Sequence, residues 1–315
     1  MTAHPPTPAP APAPLAARLR NAMTVDVEDY FQVEAFTRTV AREQWEHFPR
    51  RVEASTDRIL EQFDRAGVTA TFFTLGWVAE RHPALVRRIV AAGHELASHG
   101  HGHARVDTLT PEAFRADLLR AKQLLEDIGG VRVTGYRAPT FSIGRRTPWA
   151  YAILAETGHT YSSSIYPIRH DLYGAPDAPR FVHPVADGAL WEIPMTTLRP
   201  RRGPLSGQNL PCSGGGYFRL LPYAVFRRGL AAFNRAEEQA GMFYIHPWEV
   251  DPGQPRIDGA GRLSRFRHYL NLGLTAPRLG RLLGDFAWGR VDQVFPQVRH
   301  APPVPQPHAA RAQAA

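Results

Sequence analysis

Short apolar segments alternate with longer amphipathic segments through the first half of this chain. The apolar segments are rich in β-branched and aromatic residues, which predicts strands over residues 23–27, 69–75, 94–97 and 133–136. The amphipathic segments carry helix start and stop signals, and they predict helices over residues 55–66, 83–92, 110–128 and 148–157. Because the connections are short, this alternation predicts an α/β fold with parallel strands covered by helices, as a barrel or as an open sheet.

Clusters of reactive side chains follow the strand-like segments. Three of these clusters lie in the first half of the chain, and a fourth lies late in the chain, where a histidine follows the apolar residues 242–245. The clusters are Asp26-Val27-Glu28-Asp29, His99 to His103, Arg137-Ala138-Pro139 and His246-Pro247-Trp248. Because ligands gather at the carboxyl ends of parallel strands, we expect these clusters to face one another across one active-site mouth.

The segment Ser98-His99-Gly100-His101-Gly102-His103 predicts a metal site. Neutral imidazole suits zinc, nickel, cobalt or iron, and a carboxylate as third ligand leaves an open coordination position, as in catalytic sites. No cysteine lies nearby, which argues against a structural zinc. The alternative is that these histidines are capped or solvated polar residues, but two glycines beside three histidines make that interpretation the weaker one. We expect His101 to be a spectator.

Composition bounds the class of protein. The 315 residues are 43% hydrophobic, enough for a large core in one domain. The net charge is +8, but Lys122 is the one lysine among 37 basic residues, and the arginines are scattered instead of forming the run expected of a nucleic-acid surface. Cys212 is the single cysteine, so no internal disulfide is available.

The chain ends are low in complexity. Residues 1–20 alternate alanine and proline and have no apolar stretch of signal-peptide length, which predicts a disordered arm and a cytoplasmic protein. Residues 291–315 are predicted to be a disordered tail. No segment approaches the ~20 consecutive apolar residues that a membrane span requires.

The ordered clusters resemble the polysaccharide deacetylases of carbohydrate esterase family four, the chitooligosaccharide deacetylase homology group. That family has an acidic pair after the first strand, a His-x-x-x-His motif, an Arg-x-Pro motif and a late hydrophobic-x-His motif. Longer stretches are similar to a subgroup found beside exosortase and exopolysaccharide loci, namely residues 24–31, 136–142, 170–174, 214–219, 243–249 and 266–271. The resemblance covers about residues 22–290 and implies a catalytic domain over 21–290, with a family-specific extension from about 250.

The resemblance implies a distorted, incomplete (β/α) barrel that catalyses metal-dependent hydrolysis of N-acetyl groups from N-acetylhexosamine units, in exopolysaccharide biosynthesis. The implied metal is zinc, with cobalt or nickel as alternatives. The implied partner is an acetylated oligo- or polysaccharide, including a lipid-linked one, which would place the protein near a membrane.

The resemblance also implies roles for single residues. Asp26 would be the general base, Arg137 would orient it and favour its charged form, and His246 would be the general acid. The metal ligands would be His99, His103 and one further carboxylate. Strand periodicity favours Glu28, whereas a turn beginning at Glu28 would favour Asp29, and both stay open.

Five residues near these motifs are candidates for substrate binding. Pro139 belongs to the Arg-x-Pro motif, and four aromatic side chains either form sugar-stacking walls or belong to the core. The aromatic candidates are Tyr136, Phe141, Tyr217 and Trp248.

The chain departs from the family in one further respect. Residues 162–164 are serines where relatives commonly carry an aspartate, so the acid that usually assists the catalytic histidine is missing.

Rival functions are a related amidase or O-acetyl esterase with reshaped loops over 170–217, and a non-catalytic sugar-binding relative. His101-Gly102-His103 could also be the His-x-His motif of an amidohydrolase-type barrel. That motif normally lies on the first strand, whereas here it follows several elements, so we reject this interpretation. A Cys212 nucleophile is disfavoured by its loop-like surroundings, and a Cys212→Ala variant should stay active.

Overall fold

A nine-stranded sheet forms the centre of the protein in a computed structural model that describes residues 19–300. A separate pair of short strands accompanies it. The strands are β1 (Arg20–Val27), β2 (Thr71–Thr74), β3 (Glu95–Ser98), β4 (Gly135–Tyr136), β5 (Tyr161–Ser162), β6 (His183–Val185), β7 (Leu190–Glu192), β8 (Thr197–Leu198), β9 (Leu210–Pro211), β10 (Met242–Ile245) and β11 (Ala287–Gly289).

The order in the large sheet is β10-β1-β2-β3-β4-β5-β7-β6, and β11 also pairs with β1. Every pairing is parallel except the hairpin of β6 and β7. Within the described residues, no pairing joins β10 to β6, so the sheet stays open. The predicted α/β fold with a parallel sheet is confirmed, and the open sheet agrees with an incomplete barrel.

Ten α-helices are found among the described residues, most of them connecting successive strands. They are α1 (Val52–Ala66), α2 (Gly76–Arg81), α3 (Pro83–Ala91), α4 (Pro111–Gly129), α5 (Trp149–Glu156), α6 (Gly215–Leu220), α7 (Tyr223–Glu237), α8 (Arg262–Tyr269), α9 (Leu272–Asp285) and α10 (Val291–Val294). The four predicted helices correspond to α1, α3, α4 and α5, and they are confirmed within a few residues at each end. For α4 the local signals explain the bounds: Thr110 accepts a hydrogen bond from the Ala113 N–H, and Gly130 ends the helix at a φ of 64°.

The central strands are buried on both faces, which explains their nearly continuous apolar sequences. All four residues of β2 are buried. Phe72 packs against Phe63 of α1 at 6.1 Å between ring centroids, whereas Phe73 points to the opposite face and packs against Tyr161 at 6.4 Å. Helix α1 therefore covers one face of β2, whereas the other face packs against β5 of the same sheet.

The ends of the described chain correct the predicted tails. Strand β1 already includes Arg20, and residues 291–300 are ordered as α10 followed by a 3-10 turn at Pro296–Arg299. Val291 and Val298 are fully buried there, so single apolar side chains anchor a segment that lacks a periodic pattern. Residues 1–18 and 301–315 lie outside the described part, so disorder there remains a prediction. None of the helices in residues 19–300 combines the length and the apolar character needed to cross a bilayer.

Candidate active site

The carboxyl ends of four neighbouring strands carry the predicted site residues. Asp26 is the penultimate residue of β1, and the other three follow directly after β3, β4 and β10, respectively. Those three are His99, Arg137 and His246. Because β10, β1, β2, β3 and β4 are consecutive and parallel, these side chains meet at one edge of the sheet.

Glu28, His99 and His103 form a group whose donor atoms all lie within 4.8 Å of one another. Glu28 Oε2 is buried and lacks a hydrogen-bond partner among the described residues, although His103 Nε2 lies 2.7 Å away. That contact does not have the geometry of a hydrogen bond. A buried carboxylate oxygen facing imidazole nitrogens without a donor is the arrangement expected of ligands to a shared cation.

The protonation states of this group suit a metal. His99 Nδ1 lies 2.8 Å from the backbone oxygen of Arg137, which makes Nδ1 the N–H donor and directs the lone pair of Nε2 into the site. Burial lowers the pKa of His99 to about 4. Burial acts to raise the pKa of Glu28, but His103 and His246 outweigh it and bring the value to about 2. One carboxylate and two imidazoles are a zinc-type catalytic donor set.

The loop after β3 needs a glycine at position 100. Gly100 has a φ of 73°, a left-handed conformation that favours glycine. His103 itself has a φ of 54°, an uncommon value for a residue with a side chain. His101 turns away from the group, and its Nε2 lies 3.2 Å from Glu80.

Asp29 does not join the metal-binding group. Its Oδ2 accepts hydrogen bonds from the backbone N–H groups of Arg51 and Val52, at 2.8 and 3.0 Å, and its Oδ1 accepts one from Tyr30. Asp29 therefore caps the amino terminus of α1 from a distant part of the chain. Of the two carboxylates left open by the sequence, the geometry brings Glu28 to the histidines and Asp29 to the start of α1.

Arg137 holds Asp26 in place. Its Nη1 donates to Asp26 Oδ1 at 2.6 Å and to Thr24 Oγ1 at 2.8 Å. Its other nitrogens donate to the backbone and side-chain oxygens of Ser163, and the guanidinium lies 4.1 Å above the Phe73 ring. Arg137 is fully buried, so these partners fix one orientation and leave Asp26 Oδ2 as the free oxygen.

His246 has an acidic partner that the sequence analysis missed. Its Nδ1 lies 2.6 Å from Glu249 Oε1, and Glu249 Oε2 accepts a hydrogen bond from Arg219 Nε at 2.7 Å. The Nε2 atom of His246 faces Glu28 and Asp26, at 3.6 and 3.9 Å. Burial acts to lower the pKa of His246, but the negative charges of Glu28 and Glu249 outweigh it and raise the pKa to about 9.

A sequence signal for this pairing existed. Glu249 follows His246 by three residues, and Pro247 begins a 3-10 turn at that point, which folds the glutamate back onto the histidine. The serines at 162–164 have a different task, since Ser163 binds Arg137 and Ser164 Oγ accepts a hydrogen bond from Ala138 N.

A cavity of about 380 Å³ opens beside these residues and is lined mostly by apolar side chains. Phe141, Tyr217 and Trp248, three of the candidates for substrate binding, are among the lining residues. Tyr136 is not, because it is buried in a separate core cluster against Phe114. Pro139 is buried and also absent from the lining, although its neighbours Ala138 and Thr140 contribute to it.

Cys212 is buried outside this cavity, and burial raises the pKa of its thiol to about 12. A thiol that stays protonated is a poor nucleophile.

Comparison with protein families identifies the first half of this architecture. Residues 45–162, which carry His99, His103 and Arg137, match the model of the polysaccharide deacetylases. This part of the chain is similar to the polysaccharide deacetylases. Residues 163–296 match a second model, a domain of unknown function named DUF3473. The deacetylase match begins after Asp26 and Glu28, and His246 lies in the second match, so the site draws on both parts and on the strand that precedes them.

Curated proteins that match part of the chain are named as deacetylases. The chain is 30% identical over 113 residues to a peptidoglycan deacetylase of Helicobacter pylori, which is 36% of this chain and 38% of that protein. It is 30% identical over 84 residues to a peptidoglycan-N-acetylglucosamine deacetylase of Bacillus cereus, or 27% of this chain and 30% of that protein. The matches thus span well under half of the length of these relatives.

A solved structure matches over nearly the whole chain. The crystal structure of a Mycobacterium smegmatis protein assigned to the polysaccharide deacetylases superposes with a TM-score of 0.57 and 23% identity. The superposition covers 96% of this chain and 99% of that one. The polysaccharide deacetylase fold therefore extends through the DUF3473 part, which supplies β10 to the same sheet.

Proposed function

We propose that this protein is a metal-dependent deacetylase that hydrolyses N-acetyl groups of N-acetylhexosamine units in a saccharide. The observation that carries the proposal is the convergence of Glu28, His99 and His103 with Asp26 and His246 at the wall of one cavity. A deacetylase needs a metal site, a base and an acid within reach of one amide bond, and this set supplies all three.

The metal would be held by Glu28, His99 and His103, and when bound it would polarise the acetamide carbonyl and favour ionisation of water. Asp26 is the base in this proposal. Its Oδ1 is held by Arg137, so Oδ2 is the oxygen that accepts the proton of the attacking water. The water oxygen forms a bond to the carbonyl carbon of the acetamide.

His246 is the proposed acid on the other side of the reacting amide. An amine leaves poorly unless it is protonated, and the Nε2–H of His246 faces the site while Glu249 holds the opposite nitrogen. When the C–N bond breaks, His246 gives its proton to the sugar nitrogen. The products are acetate and a free amine on the sugar.

Finer features of the proposal rest on motif resemblance alone. They are zinc as the metal, a role in exopolysaccharide biosynthesis and a lipid-linked acceptor, whereas a cytoplasmic location rests on the composition of residues 1–20. The names of the curated relatives support the substrate class, since both act on acetylated glycans by description.

The decisive experiment measures acetate release from N-acetylglucosamine oligomers by zinc-loaded protein. We expect Asp26→Asn to lose at least ~100-fold in rate while still binding zinc, and His99→Ala to lose both activity and zinc. His101→Ala is the matched control, because this histidine of the same loop faces Glu80, and it should behave as wild type.

Two results would contradict the proposal. One is stoichiometric zinc binding with no acetate from any oligomer. The other is release of acetate from aryl esters alone, which would favour an O-acetyl esterase.

A further inference from the structure

Large hydrophobic side chains are exposed at the mouth of the active-site cavity. In residues 19–300, nine large hydrophobic residues are exposed, and four of them line this single cavity. The four are Leu172, Leu220, Leu263 and Phe266, with exposed fractions of 39%, 51%, 58% and 55%. We call these four residues the apolar rim. Scattered exposed leucines are ordinary, but a concentration around one opening marks an interaction surface.

Helix α8 contributes two residues of the rim and adds positive charge. Leu263 and Phe266 are three residues apart, so they lie on the same face of the helix. Arg262 and Arg265 are exposed beside them, and neither has an acidic partner within 4.0 Å among the described residues. The helix contains no acidic residue, and Arg267 is paired with Asp171 at 2.9 Å.

The opposite side of α8 is firmly attached to the site. His268 is buried, stacks on Trp248 at 4.2 Å between ring centroids, and contacts Gln254 at 2.6 Å. Trp248 in turn donates a hydrogen bond to Glu28. The part of the rim on α8 is therefore a fixed border of the site, and its position follows that of Glu28.

We propose that the apolar rim and the arginines of α8 dock the protein on an anionic lipid bilayer, with the cavity mouth facing the lipid. Leu263 and Phe266 enter the boundary between headgroups and acyl chains, and Arg262 and Arg265 contact lipid phosphates. The inference rests on the proposed function and deepens it, since a site that opens onto a bilayer takes a saccharide presented at the lipid surface.

The chemistry of the rim favours this occupant over a saccharide alone. Sugars stack on aromatic faces, and Tyr217 already lines the cavity. Three of the four rim residues are leucines, which have no ring, and the adjacent unpaired arginines match the charge of an anionic headgroup.

Vesicle co-sedimentation tests the inference without any saccharide. We expect the wild-type protein to pellet with vesicles of phosphatidylcholine and phosphatidylglycerol, and to bind pure phosphatidylcholine at least ~10-fold more weakly. A Leu263→Ser/Phe266→Ser variant and an Arg262→Glu/Arg265→Glu variant should each weaken binding to the mixed vesicles by ~10-fold or more.

The matched control is Leu119→Ser/Arg87→Glu, which changes an exposed leucine on α4 and an exposed arginine on α3 outside the cavity lining. It should bind the mixed vesicles as the wild type does. Absence of binding to the mixed vesicles, or equal binding by the rim variants, would overturn the proposal. Pelleting of the wild-type protein without vesicles would also overturn the proposal if the rim variants abolished it, because the rim would then join copies of the chain to one another.

The vesicle result and the acetate assay fail independently. Acetate release from a soluble oligomer with no vesicle binding would leave the deacetylase proposal standing and remove the docking surface. Vesicle binding without acetate release would leave the docking surface standing and remove the deacetylase proposal.

Discussion

Single residues around His246 hold its imidazole in one orientation. Glu249 contacts Nδ1 of His246, and Arg219 binds the other oxygen of Glu249. Both carboxylate and guanidinium are buried, with exposed fractions of 0% and 3%. A buried pair of this kind keeps the glutamate ionised and fixed, so that it can orient the imidazole and favour its protonated form.

A Glu249→Gln variant tests this positioning role. The amide keeps an oxygen for Arg219 but removes the charge beside His246, so the pKa of His246 should fall from its raised value. Because the acid must be protonated to act, the alkaline limb of kcat/KM should move to lower pH, and kcat should fall ~10-fold or more. The measurement is a pH profile of acetate release, with Glu238→Gln as a control on an exposed glutamate.

A loss of rate with an unshifted alkaline limb would show that Glu249 has only a structural role. Circular dichroism would check that the variant is still folded although the buried Arg219 has a changed partner.

At the scale of elements, the end of β1 divides two tasks between neighbouring carboxylates. Glu28 faces the histidines, while Asp29 satisfies the first backbone N–H groups of α1. The residues that begin the helix, Arg51 and Val52, offer no side-chain cap of their own. The acidic cluster therefore links the site to the helix that packs under it.

Paired substitutions should separate these tasks. Asp29→Ala leaves two buried N–H groups without an acceptor and should lower the free energy of unfolding by ~2 kcal/mol, with zinc affinity kept. Glu28→Gln should weaken zinc binding at least ~100-fold and change the free energy of unfolding much less. Urea denaturation with a chelator present and calorimetric zinc titration give the two readouts. Loss of zinc binding in a folded Asp29→Ala protein would refute the division of tasks.

At the scale of the whole molecule, the site joins strands that lie far apart in the chain, so a ligand at the site should stabilise the entire fold. Glu28 follows β1 and both histidines follow β3, with β2 between the two strands. A cation that binds only the folded state stabilises it by mass action.

Zinc at 100 times its Kd should therefore add ~2.7 kcal/mol to the free energy of unfolding and raise the Tm, and a chelator should reverse the change. Glu28→Gln should lose most of this shift, while His101→Ala should keep it. Differential scanning calorimetry with and without zinc is the measurement. An equal rise in the Tm of Glu28→Gln would place the stabilising zinc elsewhere.

A second prediction for the whole molecule concerns Glu95, at the opposite edge of the sheet. It accepts hydrogen bonds from the side chains of Thr71 and Tyr161 and from the backbone of Asp292, which ties β3 to β2, β5 and α10. Burial, together with the charge of Asp292, raises the pKa of Glu95 from 4.5 to about 7.

Between about pH 4.5 and 7 the folded protein keeps a proton on Glu95 that the unfolded chain has lost. The contribution of Glu95 to stability is thus full below this window and is lost as the pH rises through it, by up to ~3 kcal/mol. We expect Glu95→Gln to flatten this part of the stability profile, measured by urea denaturation at several pH values. Glu61→Gln, on an exposed carboxylate, is the control, and an unchanged slope in Glu95→Gln would refute the prediction.

The sequence by itself determined most elements of the first half of the chain and the order of the reactive clusters. The periodicity of β2 and α1, the capping threonine of α4 and the glycines around His99 are local signals, because backbone conformation depends mainly on near neighbours. Parallel strands share one edge for their carboxyl ends, so the convergence of Asp26, His99, Arg137 and His246 could be predicted from strand order alone.

Only the tertiary structure decided which side chain faces which partner. The turn after β1 directs Glu28 to the histidines and Asp29 to α1, and packing buries Tyr136 while Phe141 lines the cavity. The contact of Arg219 with Glu249 and the ordered segment after residue 290 depend in the same way on contacts made in space. Such contacts join residues far apart in the chain, so no local pattern specifies them; folding decides them by burying apolar groups and satisfying polar ones together.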